Sequence, residues 1–497
     1  MKTMSNQESN TQKALKGMSS QTLVTILIGI VEIGSFSIMS RLLTQEDFGY
    51  YAAISAIVVI FECFSTACIG SAVIQKKDAS NQYINVAFTM SLILGIAIMA
   101  LMMATAKPIA RIVADESMFY PLILMATTLP LHCLTNINIS LMHRKLEFMK
   151  VGVVNLISLL ITSIIAISLA YLGFSYFAII AKAVIGSVIT CIISFILVKR
   201  RYQLEFEKKV FREIFSFSGW LTISVFFRNL SNQLDRLLMS SLMSVSALGA
   251  YNRPKEFITQ ISIKINGIFD TVLFPVLSDI QDDITKVKSA YKRSLYYMNI
   301  FSLLLACGFI FNSELIIRIF FGKEWMSVQS TFIIISLSLI FNIDGRLADC
   351  FYRSLGWTKQ QFYIRILELI LSIIGIFIGS KWGVDGIAIS VLLVHIIIIF
   401  IKNAYIVGYI KVPIHDFIGI ILSSWRFSLL FVPLMLCVVF VLPHSLGANI
   451  FTALFYVVLS IILFVFCPTL VGRQYKEDAY KHVKLLVNRL VRKYREL

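Results

Sequence analysis

Apolar runs of about 20 residues recur along nearly the whole of this 497-residue chain, and they limit its possible folds more than any other feature. A helix of that length crosses the hydrocarbon of a bilayer, so each run is a candidate membrane span. Strands of a membrane barrel would alternate in segments of about ten residues, whereas these runs are continuous. The sequence therefore predicts an all-α polytopic membrane protein with about 14 transmembrane helices.

The formal charge of +17 would suit nucleic acid, but the placement of the basic residues favours another explanation. Lysine and arginine are concentrated in connections such as "HRKLEFMK" and "VKRRYQLEFEKKVFR", whereas "LGFS" and "SKWGV" on the other side are short and nearly free of them. Cytoplasmic loops of membrane proteins carry this excess and meet anionic lipid headgroups. We therefore expect both termini to be cytoplasmic and expect no nucleic-acid partner.

An internal repeat divides the chain into two halves. "SRLLTQEDFGYYAA" from Ser40 aligns with "SSLMSVSALGAYNR" from Ser240, which matches Gly49 with Gly249 and Tyr51 with Tyr251. Two further pairs, "RKLEF" with "RSLGW" and "LGFSYFAII" with "WGVDGIAIS", follow in the same order. Matched segments lie on the same side of the membrane, which is typical of parallel repeats.

The repeat predicts two pseudo-symmetric six-helix bundles plus two extra C-terminal helices. The expected organisation is a cytoplasmic tail over 1–19, bundles over 20–198 and 216–408 joined by a cytoplasmic linker over 199–215, two additional transmembrane helices over 418–470, and an amphipathic cytoplasmic tail over 471–497.

Polar residues crowd into the stretch "FRNLSNQLDRLLMSSLMSVSALGAYNRPKEF" over 227–257. Arg228, Asn232 and Asp235 are spaced i, i+4 and i+7, so they share one helix face. Charges inside a membrane face a bundle interior or a watery cavity. We predict a charged cavity between the bundles whose substrate-binding residues are Arg228, Asn232, Asp235, Arg253, Lys264 and Asp270. The alternative for Asp235 is a salt bridge with Arg228 or Arg236 that only joins helices.

Three carboxylates are candidates for ion coupling: Glu32 and Glu62, which lie midway along the first two spans, and Asp235. Carboxylates at membrane depth are typical of proton relays, although they also join helices. His132 in the fourth span is interpreted as a core histidine. The chain contains no nucleotide-binding Walker motif, so we expect that ATP hydrolysis does not drive transport. The energy would come from the cargo gradient or from a coupling ion, for which H⁺ and Na⁺ are the candidates, and we expect no cofactor and no metal.

The segment "SRLLTQEDFGYYAAISAIVVIFECFSTACIGSAVIQKKD" at 40–78, the 227–257 stretch and "FPVLSDIQDD" at 274–283 resemble Wzx-type polysaccharide flippases. These belong to the multidrug/oligosaccharidyl-lipid/polysaccharide (MOP) exporter superfamily, and the similarity is to the subgroup of colanic-acid and teichuronic-acid exporters. Positions that match the family pattern are Asn232, Asp235, Gly249, Tyr251, Arg253, Phe274 and Pro275. Lys264 and Asp270 depart from it.

The resemblance implies an alternating-access transporter, not an enzyme, in the bacterial inner (plasma) membrane. Its cargo would be undecaprenyl-diphosphate-linked oligosaccharide for O-antigen, capsule or exopolysaccharide, and ion coupling would make it an antiporter. Expected partners are this lipid-linked substrate and membrane lipids, with a polysaccharide polymerase and chain-length machinery as further candidates. Two alternatives stay open: a drug or cation exporter of the same superfamily, and a membrane-embedded polymerase or glycosyltransferase, which would usually need a larger outer loop than "AKPIARIVADESM" at 106–118.

Overall fold

The computed structural model describes residues 24–66, 69–76, 79–112, 116–268 and 273–429. Over these residues the chain is helical and has no β-strand, which confirms the predicted all-α class. The predicted helices between 430 and 470 and the tail over 471–497 lie outside the described residues, as does Asp270.

The first part of the chain forms ten helices within the described ranges, and most of them follow the apolar runs. They are α1 (Val24–Leu42), α2 (Gln45–Thr66), α3 (Ile69–Gln75), α4 (Asn81–Ile112), α5 (Phe119–Ala126), α6 (Thr128–Arg144), α7 (Phe148–Tyr171), α8 (Phe177–Val198), α9 (Lys208–Leu242) and α10 (Val245–Ile268). The fourth predicted span therefore contains two helices, because the regular helix is interrupted at Thr127, between α5 and α6.

The second part continues with α11 (Phe274–Asp279), α12 (Ile284–Phe311), α13 (Ser313–Ile316), α14 (Gln329–Ser354), α15 (Thr358–Gly379), α16 (Gly383–Tyr409) and α17 (Ile414–Leu429). Among the described residues, nine segments are long and apolar enough to cross a membrane, and one of these, Lys359–Tyr409, contains both α15 and α16. The polar helices α9 and α10 are not among them. The predicted total of fourteen spans stays a prediction.

Apolar side chains on the outer faces of several helices show how the protein meets lipid. On α7, Ile157, Leu160, Ile161 and Ile164 are all exposed and share one face, because residues three, four and seven apart align along a helix. Water would not favour such a face, whereas hydrocarbon does. The protein is thus a multi-pass membrane protein.

Local polar contacts begin the helices at the membrane surface. Thr44 and Asp47 form a reciprocal cap at the start of α2: Thr44 N donates to Asp47 Oδ2 at 2.8 Å and Asp47 N donates to Thr44 Oγ1 at 3.2 Å. Asp283 caps α12 by accepting from the backbone N–H groups of Thr285 and Lys286 at 3.0 and 3.1 Å. These bonds, chiefly that from Lys286, lower the pKa of the Asp283 carboxyl.

The chain forms two compact units. The N-terminal unit runs to Arg253 and includes Phe320–Glu324, and the C-terminal unit comprises Pro254–Ile319 and the chain from Trp325 onward. The core of the N-terminal unit contains Val73, Val86, Ala87, Ile137 and Ile214, and that of the C-terminal unit contains Tyr291, Leu295, Tyr296, Phe351 and Tyr352. The predicted domain limits, with a linker over 199–215, stay a prediction.

The glycines matched by the repeat lie against each other in the N-terminal unit. A β-carbon on Gly249 would overlap the carbonyl oxygen of Gln45, and one on Gly49 would overlap the carbonyl oxygen of Val245. The first turns of α2 and α10 therefore pack backbone to backbone, and this approach explains why both repeats carry glycine at the same position.

Candidate functional site

A cavity of about 880 Å³ lies within the N-terminal unit, among α1, α2, α6, α7 and α8. Hydroxyl and amide groups line much of its wall, including those of Ser55, Asn136 and Thr190. The described residues that line it with a carboxyl, imidazole or amine group are Glu32, Glu62, His132 and Lys182. The two carboxylates nominated for ion coupling in the first two spans therefore share one cavity.

The clearest charged contact in this cavity joins α2 to α6. His132 Nδ1 lies 2.8 Å from Glu62 Oε1, and each side chain is about one third exposed, at 34%. A carboxylate and an imidazole at this distance share a hydrogen bond whose strength depends on the protonation of the histidine. The pair therefore places an imidazole and a carboxylate in direct contact on the cavity wall.

Lysine and glutamate complete the cavity on its α1 and α8 side. Lys182 Nζ donates to Ser35 Oγ at 2.8 Å, and Glu32 lies one helical turn before Ser35 while lining the same space. With a neutral His132 the lining carries two negative charges and one positive charge, and protonation of the imidazole balances them. No group of three or more Asp, Glu, His or Cys side chains in the described ranges is arranged to hold a metal ion.

Arg253, predicted to bind substrate, is enclosed by the N-terminal unit and is only 4% exposed. Its guanidinium lies between the rings of Phe36 and Phe48, with the central carbon 3.4 and 3.9 Å from the ring centres. It donates to Ser40 Oγ at 2.8 and 3.0 Å and to the Phe36 carbonyl oxygen at 2.8 Å. These contacts join α10 to α1 and α2.

Asp235 is also buried, at 6% exposed. Its Oδ2 accepts from the Tyr251 hydroxyl at 2.9 Å and its Oδ1 accepts from the Arg236 backbone N–H at 3.0 Å. Both Arg228 and Asn232, on the same predicted face, are exposed. None of these residues lines the cavity.

Lys264 lies in α10, but its side chain, like the whole of Asp270, is outside the described residues. The predicted substrate set is thus placed in part: two members are buried, two are exposed on α9, and two are not described.

A buried charge network in the C-terminal unit was not identified from the sequence. Lys402 Nζ and the Arg365 guanidinium each lie 2.8 Å from Asp349, and Arg365 also lies 3.1 Å from Glu368. Lys402 and Asp349 have side chains only 5% and 8% exposed. The sequence feature that could have indicated this network is the lone lysine, Lys402, in the apolar run "IIIIFIKNAY". The network contains two cations and two carboxylates, so its charges balance. Its salt bridges join α14, α15 and α16.

Comparison with known proteins adds family and fold to this geometry. A family model described as "Polysaccharide biosynthesis protein" matches residues 38–330. "Lipopolysaccharide biosynthesis protein WzxC" of Escherichia coli (strain K12) is 22% identical over 393 residues, which cover 78% of this chain and 79% of that protein. The match therefore extends over most of both sequences.

Two solved structures share the fold. The lipid II flippase MurJ in an inward closed conformation has a TM-score of 0.72 at 17% identity, over 91% of this chain and 99% of that one. An inward-facing multidrug transporter of the MATE family, in the MOP superfamily, has a TM-score of 0.62 at 12% identity, over 77% of this chain and 94% of that one. The fold is thus common to a lipid flippase and a drug exporter, and it does not choose between those activities.

Proposed function

We propose that this chain, which belongs to the polysaccharide biosynthesis protein family, is a flippase for lipid-linked oligosaccharide. It translocates undecaprenyl-diphosphate-linked repeat units across the bacterial inner membrane by alternating access, in the assembly of surface polysaccharide. The observation that carries this proposal is the family match over residues 38–330. WzxC, similar over most of both chains, supports it.

The cavity of the N-terminal unit supplies the coupling site in this proposal. Glu62 and His132 take up a proton or a small cation on one side of the membrane and release it on the other. Glu32 supplies part of the negative charge that balances the bound ion. When the Glu62–His132 pair holds no ion, Lys182 is the cation that remains in the cavity. Exchange of this ion for cargo makes the protein an antiporter, since binding of one shifts the equilibrium that the other experiences.

Cargo recognition is assigned to polar and charged side chains that the sequence predicts to bind substrate. Arg228 and Asn232 are exposed on α9, and Lys264 follows on α10. Their donors suit diphosphate and sugar oxygens, and Asp270 suits sugar hydroxyls. Arg253 and Asp235 do not contact cargo directly in this proposal, because their polar atoms hold α1, α2, α9 and α10 together.

The protein works in the inner membrane with both termini in the cytoplasm. It catalyses no reaction itself and passes its cargo to a polysaccharide polymerase and chain-length machinery on the outer face of the membrane. Basic loops on the cytoplasmic side contact anionic lipids.

Deletion of the gene, followed by analysis of lipid-linked intermediates in spheroplasts, tests this function. We expect the oligosaccharide–diphosphate–lipid to accumulate on the cytoplasmic face and surface polysaccharide to be lost, and both to be restored by the wild-type chain. Intermediates that still reach the outer face but stay short would instead indicate a polymerase.

One observation favours a second candidate, a cation exporter. The cavity presents Glu32, Glu62 and the aromatic ring of Tyr51, which are groups that attract organic cations. An unchanged lipid-linked pool, together with greater sensitivity of the deletion strain to cationic dyes, would select this candidate.

A further inference from the structure

A second pocket, of about 750 Å³, lies at one end of the N-terminal unit, apart from the charged cavity. Its walls are the start of α4, the ends of α6 and α8, and the first residues of the segment that leads to α9. Five cationic side chains line it: Arg144, Lys145, Lys199, Arg200 and Arg201. Among the described residues the lining contains no carboxylate, so this part of the chain concentrates positive charge where the basic loops gather.

Backbone geometry places this charge over the pocket. Lys199 ends α8 in the left-handed region, at φ 50°, a conformation that is uncommon outside glycine, asparagine and aspartate. The chain consequently turns at this residue, and the Arg200 guanidinium donates to the Asn81 carbonyl oxygen at 3.2 Å. The run Lys199–Arg201 is thus folded back onto the first turn of α4.

The segment after the turn is anchored by contacts with α4 and α6. The Tyr202 hydroxyl donates to Asn138 Oδ1 at 2.5 Å, and its ring stacks on Phe88 with the centres 4.2 Å apart. Three residues on, Glu205 N donates to Thr89 Oγ1 at 3.1 Å, and Glu205 Oε1 accepts from Asn85 at 2.9 Å. The pocket is therefore preorganised, so binding costs less conformational entropy than it would if flexible loops had to become ordered.

One buried donor in the pocket has no acceptor. Arg200 Nε is enclosed and makes no hydrogen bond within the described residues. Buried polar groups are nearly always hydrogen-bonded, and a guanidinium N–H without an acceptor is costly. The guanidinium carbon lies 5.7 Å from the centre of the Tyr202 ring. An oxyanion in the pocket would balance the Arg200 charge, because the planar guanidinium is suited to phosphate oxygens.

The rest of the lining is mixed: Ala79, Ile84, Leu141 and Val198 are apolar, and Asn81, Asn85 and Gln203 are polar. The pocket lies at the ends of helices α4, α6 and α8, which belong to segments long and apolar enough to cross a membrane, and a basic pocket between such helices suits the headgroup of an anionic lipid. We propose that this pocket binds the phosphate or diphosphate group of an anionic membrane lipid. The site lies outside the proposed coupling cavity, and its existence does not depend on transport.

Two lipids carry this chemistry: an anionic phospholipid, and the diphosphate of a lipid-linked saccharide. Binding is measured with the full chain in phosphatidylcholine nanodiscs, titrated separately with fluorescent phosphatidylglycerol and fluorescent undecaprenyl diphosphate. Saturable binding of phosphatidylglycerol identifies the pocket as a phospholipid site. Saturable binding of undecaprenyl diphosphate alone identifies the ligand as the cargo diphosphate. Competition by inorganic pyrophosphate shows that the phosphate group is recognised.

The test variant is the double substitution Lys199→Gln with Arg200→Gln, and the matched control is Lys209→Gln with Arg212→Gln, two exposed cations on α9. We expect the first to weaken lipid binding by about tenfold to hundredfold, because charge-assisted hydrogen bonds are lost. The control should change affinity by less than about threefold, as expected for distant charges that salt screens. Equal affinities in the two variants, or no saturable binding of either lipid, would overturn the proposal.

Discussion

Arg253 carries a charge into the interior of the N-terminal unit, where two phenylalanine rings and several oxygens surround it. Cation–π contacts and charge-assisted hydrogen bonds offset the cost of removing a guanidinium from water. The residue therefore stabilises the packing of α10 on α1 and α2, and its loss would affect folding before it affected cargo.

We predict that Arg253→Ala lowers the stability of the protein by about 2–4 kcal/mol, through unpaired acceptors and lost ring contacts. Arg253→Lys should lose less, since it keeps the charge. Thermal unfolding in detergent and the amount of protein in the membrane provide the measurement. If the alanine variant were as stable and abundant as wild type and still failed to export, Arg253 would contact cargo directly.

At the Glu62–His132 pair we predict a defect in transport with little loss of protein. The side chains are one third exposed, so Glu62→Gln and His132→Gln should fold. Each should slow export by about 5- to 150-fold, the usual size of coupling between two sites, and should flatten its dependence on pH. Glu147→Gln, at the similarly half-buried pair with Lys150, serves as the control. Wild-type export by Glu62→Gln would remove the pair from the coupling site.

Individual residues were predictable where position alone marked them. Glu32 and Glu62 stand out as carboxylates in the middle of apolar spans, and both line the cavity. The partner of Glu62 was not predictable, because His132 is 70 residues away and the contact depends on how two helices rotate and pack. The partners of Arg253 are hidden for the same reason, since Ser40 is 213 residues distant.

Helix contacts explain the repeat. Gly49 lies at the end of the first turn of α2 and Gly249 at the same place in α10, and each glycine allows the other helix to approach. The sequence match therefore reflects one physical requirement met twice, at a place where two related helix starts touch.

We predict that Gly249→Ala destabilises the protein by about 1–3 kcal/mol, because the new methyl group overlaps the Gln45 carbonyl and forces the helices apart. The control is Gly34→Ala in α1, where a β-carbon would meet nothing within 4 Å and alanine favours the helix. Unfolding temperatures of the two variants give the comparison. A Gly249→Ala protein as stable as the Gly34→Ala protein would contradict the close packing of α2 and α10.

The segment that leads to α9 should depend on Tyr202. Tyr202→Phe keeps the ring on Phe88 but removes the hydrogen bond to Asn138, at a cost of about 1 kcal/mol. Burial raises the pKa of the Tyr202 hydroxyl to about 12. Its contribution to stability is therefore complete below about pH 10 and is lost as pH rises through the folded pKa.

Limited proteolysis between pH 8 and pH 12 checks this contribution. Cleavage of the wild-type protein between α8 and α9 should increase toward the alkaline end, whereas the phenylalanine variant should be cleaved faster than wild type near neutral pH and lack the alkaline rise at this site. The same alkaline rise in both proteins would show that another group causes it.

At the element scale, hydropathy predicted most helices, since a long apolar run in a membrane has few alternatives to a helix. It predicted boundaries less well: the interruption at Thr127 was not predicted, although Pro130, in the first turn of α6, cannot donate a hydrogen bond to the carbonyl of residue 126 and so favours it. Helices α9 and α10 were expected as spans and are helical, although their polar residues keep them outside the strongly apolar set. Tertiary contacts such as Asp235 with Tyr251 explain how that polarity is accommodated.

The whole molecule combines a fold shared by a lipid flippase and a multidrug transporter with membership of a polysaccharide biosynthesis family. The fold class and the family resemblance were accessible from the sequence, because both rest on long segments. The contacts that join α10 to α1 and α2 were not, because they depend on tertiary packing. The activity proposed for the whole molecule is translocation of a lipid-linked saccharide.

Reconstitution tests that claim most directly. The purified protein is inserted into liposomes that contain a fluorescent undecaprenyl-diphosphate saccharide in both leaflets, and a membrane-impermeant quencher reports how much of it becomes accessible. We predict that the accessible fraction rises from the outer-leaflet share to nearly the whole pool, and that Glu62→Gln slows this rise. An accessible fraction equal to that of protein-free liposomes, with folded protein present under an imposed pH or sodium gradient, would contradict the account.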